Sequence, residues 1–421
     1  MQGGIFVYKN KIFKILLIFL LIFIFSIQYT IILAEDAIYV WSNNSNSIDT
    51  TTTSVETNVE PVKNNSLDLK SGAAILIEQN TGQVLYEHNT HEKLRPASVT
   101  KVMTLLLIME ALDDGRLKLT DKIACSENAA AMGGSQIWLD VREELTVDEM
   151  LKAICVVSAN DCTVAMAEHL AGSEELFVQQ MNQKAKALGM NDTTFKNCHG
   201  IDEDGHLTSA YDISLMSREL ILKHPQITKY TTIWMDSLRD GKSELVNTNK
   251  LIRTYSGATG LKTGSTSLAL FNLSATATKN DLSLIAVIMK AESSAVRFAE
   301  AKKLLDYGFN TYGYKEFAKK GDSVSIVNVE KGVENTVNAV FEKTAGSLVK
   351  KGQEKNIVQK IQMQEKIFAP LQKGQKIGEA TYELNGKIIG TVNIVAEEEI
   401  QKMNLFSKTL NIFNKWFNLV R

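Results

Sequence analysis

The chain has 421 residues, 44% apolar and 22% charged, with a formal net charge of −2. This is the composition of an ordinary globular protein with room for two or three domains. It leaves no basic excess for nucleic acid, and its four cysteines show neither a CxxC pair nor a zinc spacing. Cys125, Cys155, Cys162 and Cys198 read as buried thiols in preference to disulfides.

Residues 1–34 read as a signal peptide or N-terminal membrane segment. Lys9, Lys11 and Lys14 lead into the apolar run Ile15–Phe25, and apolar character returns at Ile31–Ala34. The chain that follows is thereby expected outside the cytoplasm. Residues 35–66 are dominated by Ser, Thr and Asn, bury too little to fold, and predict a disordered linker.

Order is expected from about Ser71. Ala73–Glu78 and Gln83–Glu87 read as strands around the turn Asn80-Thr81-Gly82. Helical spacing follows from Ser98 to about Asp113, over Val147–Gly172 with a break near Ser158, over Glu174–Leu188, over Ala210–Lys223 and over Ser294–Tyr307. Between the last two, Leu268–Thr278 and Leu282–Met289 read as strands around Asn280-Asp281. Residues 67–314 are expected to form one domain. Residues 315–398 turn to period two, with Asn385-Gly386 as a hairpin signal, and predict a small all-β domain. Residues 399–421 read as an amphipathic helix. Met403, Phe406, Leu410, Phe413, Phe417 and Val420 make a stripe, with Lys402, Lys408, Lys415 and Arg421 off it and no acid after Gln401. This pattern suits the surface of an anionic membrane; the alternative is a helix packed on its own protein.

The chemistry is concentrated in three clusters. In Arg95-Pro96-Ala97-Ser98-Val99-Thr100-Lys101, Pro96 bars a helix upstream, and Ser98 and Lys101 share one face of the helix that follows. Ser98 falls in the first turn, where unpaired N–H groups and the positive dipole end collect. A serine there can build an oxyanion, and a neutral lysine one turn on can take its proton. The second cluster is Ser158-Ala159-Asn160. The third is Lys262-Thr263-Gly264-Ser265-Thr266, opening a strand-like run. Singly each is weak, since Ser347-Leu348-Val349-Lys350, Ser42-Asn43-Asn44 and Ser126-Glu127-Asn128 are decoys. Their order and context give them weight.

Together they resemble the penicillin-binding serine D-alanyl-D-alanine carboxypeptidases of low molecular weight, whose pattern is Ser-x-x-Lys, Ser-x-Asn, Lys-Thr-Gly. Gly133-Gly134-Ser135, Cys198-His199-Gly200-Ile201-Asp202 and Thr208-Ser209-Ala210-Tyr211-Asp212 are similar too. Cys198 departs from the family, where proline or another residue is common. The resemblance implies an α/β (α+β) peptidase domain, an antiparallel sheet flanked by helices, followed by the all-β domain. It implies Ser98 as nucleophile, Lys101 as base and Ser158 as proton relay. Asn160, Lys262, Thr263, Gly264 and Ser265 would bind substrate, Ser265 with Ser98 through backbone N–H groups at the oxyanion. Arg297 reads either as a further contact to the substrate carboxylate or as a surface helix arginine. His199 reads as shaping its loop. No metal or other cofactor is implied. The implied partners are peptidoglycan pentapeptide stems, with β-lactams as inhibitors.

A β-lactamase of the same fold would need a carboxylate to activate the deacylating water, and no Glu-x-x-Leu-Asn run lies between Ser158 and Lys262. A D,D-endopeptidase or transpeptidase could use the same three clusters. A non-catalytic, membrane-tethered wall-binding protein would have no need of Ser98, Lys101 and Lys262.

Overall fold

The computed structural model describes residues 62–63 and 67–403. The export signal, nearly all of the linker and residues 404–421 of the terminal amphipathic segment lie outside the described residues. At the linker's end Val62–Lys63 pairs in parallel with Tyr86–Glu87. Order starts earlier than Ser71: Leu69 is buried and Lys70 N–H donates to Glu300. Residues 399–403 are extended, not helical; Ile400 pairs with Leu371 and Lys402 with Gly332.

A six-stranded sheet organises the first part. Its order is Val62–Lys63, Val84–His88, Ala73–Glu78, Leu282–Ala291, Leu270–Lys279, Ala258–Thr266, antiparallel except for the first pair. Period two splits each central strand between two cores. Ala73, Ile75, Ile77, Ile285, Val287 and Met289 face one cluster, which they share with the helices Lys101–Asp113, Val147–Val156, Asn160–Ala171 and Ala210–Lys223. Ala74, Leu76, Leu284, Ala286 and Ile288 face the other, beneath the helix Ser294–Thr311. Each fully buried Leu or Ile contributes about 1.5–3 kcal/mol, so both faces of the sheet are fixed.

Helix starts follow the caps. Thr146 and Glu149 form a capping box, and the Ser173, Ser209 and Ser293 side chains accept from the third residue on. Near the first cluster the helix differs from expectation. Ala97–Thr100 is a 3₁₀ turn, and the α-helix starts only at Lys101. Ser98 therefore sits in the tighter turn leading into the helix.

The helix Ser294–Thr311 runs into Tyr312–Ala318, which pairs with Ala345–Lys350. A second six-stranded sheet follows, ordered Ile357–Met363, Lys376–Leu384, Lys387–Ala396, Thr336–Phe341, Ser323–Glu330, Ile367–Phe368. Asn385 and Gly386, at φ of +51° and +80°, make the left-handed two-residue turn that a tight hairpin requires.

Candidate active site

Three walls meet at Ser98. The floor is the 3₁₀ turn, which the sheet holds through buried Asn272. The Asn272 amide donates to Arg95 O at 2.8 Å and Pro96 O at 3.0 Å, and its oxygen accepts from Lys290 N–H. One wall is the strand Ala258–Thr266. It comes so close that a Cβ at Gly264 would lie 2.9 Å from Pro96 O, Ser98 N and Val99 N. Only glycine fits there. Another wall is the loop 197–202, where Gly200 has φ +94° and a Cβ would lie 2.0 Å from Ala97 O. The third is the break between helices at Ser158, itself held at φ +67°.

Lys101 is the centre of the site and is fully buried. Its Nζ donates to Asn160 Oδ1 and to His199 O, both at 2.6 Å, and lies 3.1 Å from Ser98 Oγ. Burial pushes its pKa well below the usual lysine value, and neighbouring Lys262 pushes it further. A neutral amine has two N–H donors and one lone pair. Asn160 and His199 take the two donors, which leaves the lone pair for the Ser98 hydroxyl proton. Asn160 is fixed in turn: its Nδ2 donates to Gly133 O at 2.7 Å, and its backbone N–H donates to Ser135 O at 2.7 Å.

Lys262 is also buried, and burial, with Arg297 adding to it, lowers its pKa to about 7. Its Nζ donates to Thr263 O at 2.9 Å. The Thr263 hydroxyl donates to Thr248 Oγ1 at 2.7 Å, and Thr248 N–H donates to Val156 O. Thr248 therefore ties the Lys262 strand to the Ser158 wall. Ser158 Oγ is buried and has no hydrogen-bond partner among the described residues, a costly state unless a ligand completes it. Ser265, by contrast, is exposed beyond Gly264.

Arg297 is not a surface arginine; it is 6% exposed. Its Nη1 donates to Gly264 O at 3.1 Å and Asn272 O at 3.2 Å, and its guanidinium lies over Phe298 and Phe271. It braces the back of the Lys262 strand.

The two loop histidines are structural. His206 Nδ1 accepts from Lys196 N–H, so its Nε2 carries the proton and donates to Thr100 Oγ1 at 2.8 Å. His199 Nδ1 accepts from Ile201 N–H, and burial lowers its pKa to about 3. All four cysteines are free and buried. Among the described residues no His, Cys, Asp and Glu group is placed to hold a metal ion, and no helix is long and apolar enough to cross a membrane.

The sequence reading missed Asn272 and Thr248. No motif marks either; their value comes from the sheet register that sets Asn272 opposite Gly264. It also missed the hairpin of Met235–Leu238 with Ser243–Val246, although Asp240-Gly241 between those runs is a turn signal.

Comparison with known proteins agrees with this geometry. The family model described as D-alanyl-D-alanine carboxypeptidase matches residues 57–293, and the model for the penicillin-binding protein 5 C-terminal domain matches residues 312–402. The D-alanyl-D-alanine carboxypeptidase DacF of Bacillus subtilis is 45% identical over 348 residues, 82% of this chain and 89% of that one. Penicillin-binding protein 5 of Haemophilus influenzae superposes with a TM-score of 0.68 at 30% identity, over 82% of this chain and all of that one. Penicillin-binding protein D2 of Listeria monocytogenes, solved in its ampicillin-bound form, gives a TM-score of 0.53 at 30% identity over 58% of this chain and 99% of that one. With its three clusters meeting in one cleft and its relatives matching across both parts, the chain belongs to the D-alanyl-D-alanine carboxypeptidase family.

Proposed function

We propose that this protein is a serine-type D-alanyl-D-alanine carboxypeptidase that removes the terminal D-alanine from peptidoglycan stem peptides, and that penicillin inhibits it by acylating Ser98. The observation that carries the reading is the setting of Lys101: fully buried, with its pKa pushed well down by burial and by Lys262, its Nζ is hydrogen-bonded to Asn160 Oδ1 and His199 O and lies 3.1 Å from Ser98 Oγ.

Ser98 attacks the carbonyl between the two D-alanines, and Lys101 accepts its proton. Backbone N–H groups of Ser98 and Ser265 hold the oxyanion, with Gly264 letting the strand approach; losing one such donor costs about 3–4 kcal/mol. Ser158, whose Oγ has no partner among the described residues, passes a proton to the leaving nitrogen. Asn160 keeps Lys101 oriented and offers its remaining N–H to the substrate amide. Lys262 and Thr263 face the terminal carboxylate, whose charge raises the Lys262 pKa back and restores the cation. Arg297 supports that strand from behind and is a positioning residue. Water then hydrolyses the ester.

The apolar N-terminal run reads as the export signal, which puts the enzyme outside the cytoplasm. The basic amphipathic segment 404–421 reads as its attachment to the outer face of the membrane, testable by binding of the full chain to anionic vesicles.

The deciding experiment is mass spectrometry of the protein with penicillin, then with a pentapeptide ending in D-Ala-D-Ala. A lasting adduct on Ser98, absent in Ser98→Ala, together with free D-alanine, is the expected result. Rapid penicillin turnover without D-alanine would make the protein a β-lactamase. Neither adduct nor release would leave only a wall-binding role.

A further inference from the structure

One of the two groups that aim Lys101 Nζ is a loop carbonyl, His199 O. A loop carbonyl keeps its direction only if the peptides around it are held. Its own peptide plane carries Gly200 N–H, which donates to Asn197 Oδ1 at 2.7 Å. Ile201 N–H donates to His199 Nδ1 at 3.1 Å. These bonds stay inside the loop. The residue before the carbonyl ties the loop to two helices. Cys198 O accepts from the buried Thr104 hydroxyl at 2.6 Å, and Cys198 N–H donates to Glu174 Oε1 at 2.9 Å. Thr104 lies three residues after Lys101, on the same face of its helix. Glu174 opens a different helix, Glu174–Ala187.

An acid at a helix start ordinarily answers the positive dipole end. Here the next residue does so: Glu175 is exposed, and its carboxylate hydrogen-bonds the side chain of the cap Ser173. The Glu174 side chain is only 19% exposed and is turned to the loop. Its Oε1 lies 3.4 Å from His199 Nε2 as well as accepting from Cys198 N–H. His199 Nδ1 is an acceptor, so Nε2 carries the proton and faces the carboxylate. One oxygen thus holds both the residue before the carbonyl and the ring of the residue that bears it. The same helix grips the incoming chain two turns further on. Asn182 Nδ2 donates to Phe195 O, and Phe195 N–H donates to Asn182 Oδ1, both at 2.9 Å. Glu174 and Asn182 therefore share one face.

We infer that Glu174 is a positioning residue for Lys101: by holding Cys198 and the His199 ring, it keeps the His199 carbonyl on Nζ and Nζ within reach of Ser98. This rests on the assignment of Lys101 as base. Without that carbonyl the amine keeps Asn160 Oδ1 alone to set its direction, and it can turn from the serine. A displacement of about 1 Å at such a contact costs on the order of a hundredfold in rate. Cys198 contributes through its backbone, since a proline there would lack the N–H that Glu174 holds.

The test follows penicillin acylation of Ser98 in the full chain by stopped flow, as a rate per titratable site, so that loss of folded protein does not enter. Glu174→Ala removes the carboxylate. Glu174→Asp keeps the charge at the helix start and shortens its reach by one methylene, and it carries the test if Glu174→Ala does not fold. Both are expected to slow acylation about 10–100-fold. Glu174→Gln keeps the accepting oxygen and is expected to restore most of the rate. Glu174→Asp is then combined with Lys101→Ala, and the slow adduct is followed by mass spectrometry. There it is expected to cost less than about twofold further, because the group it positions is gone. A wild-type rate in Glu174→Asp overturns the inference. So does the same fold-loss with and without Lys101, which would make Glu174 a support of the cleft at large. A Lys101→Ala protein that acylates as fast as the wild type overturns instead the base assignment on which the inference rests.

Discussion

The peptidase part and the C-terminal β part are similar in their apolar packing and opposite in what else they bury. Before Tyr312 the buried side chains include Lys101, Asp161, Asp212, Lys262, Arg297, Glu300 and three histidines; after it, tyrosines aside, Ser347 is the one buried polar residue among those described. Backbone strain divides in the same way. Ala97 and Ser158 sit at positive φ in the candidate site, whereas the β part keeps such residues to Lys331 and Asn385. A buried cation is expensive unless something is gained from it. Here the gain is a lysine whose pKa is pushed well down next to a serine. Where burial is purely apolar it serves folding; where it is polar and strained it serves chemistry.

The contrast can be broken most sharply at Lys101. Lys101→Ala is expected to slow penicillin acylation of Ser98 by roughly 10²–10⁴-fold, the range of a lost general base, while stopped-flow and thermal melts show a folded protein. A matching truncation in the β core should do the reverse. Ile394 is fully buried there. Ile394→Ala is expected to cost about 2–5 kcal/mol in denaturant unfolding and to leave the acylation rate within about twofold. A slowed acylation in that variant would show the two parts to be coupled.

The smallest effect is a pH dependence, and it sharpens the comparison within the cleft. Lys262 must be charged to hold a carboxylate, and its pKa in the free protein is lowered to about 7. The charged form is populated below that value and lost above it. From about pH 7 upward, kcat/KM for a peptide acid is therefore expected to fall by up to about tenfold per unit, while a peptide ending in an amide shows no such fall. A flat profile for the acid would mean that Lys262 does not supply the charge.

Much of this was legible because it rests on local signals. The turn Asn80-Thr81-Gly82 and the Asn385-Gly386 hairpin announce themselves in a few residues, and the helix Ala210–Lys223 has the bounds its spacing predicts. The three clusters were readable by order and type. Their mutual support was not. Asn272 acts through a strand register, Thr248 through a hydroxyl contact across two elements, and Arg297 from behind a strand, so each acquires its role only when distant segments meet. The extended path of residues 399–403 was hidden for the same reason. Ile400 answers to Leu371 and Lys402 to Gly332, and these tertiary pairings override the helical reading at the start of residues 399–421.

Gly200 and Gly264 carry a consequence for selection under an acylating drug. At both positions the first atom of any side chain collides with the backbone of the turn that carries Ser98. The cleft cannot be narrowed there against an inhibitor without also displacing the turn that carries Ser98.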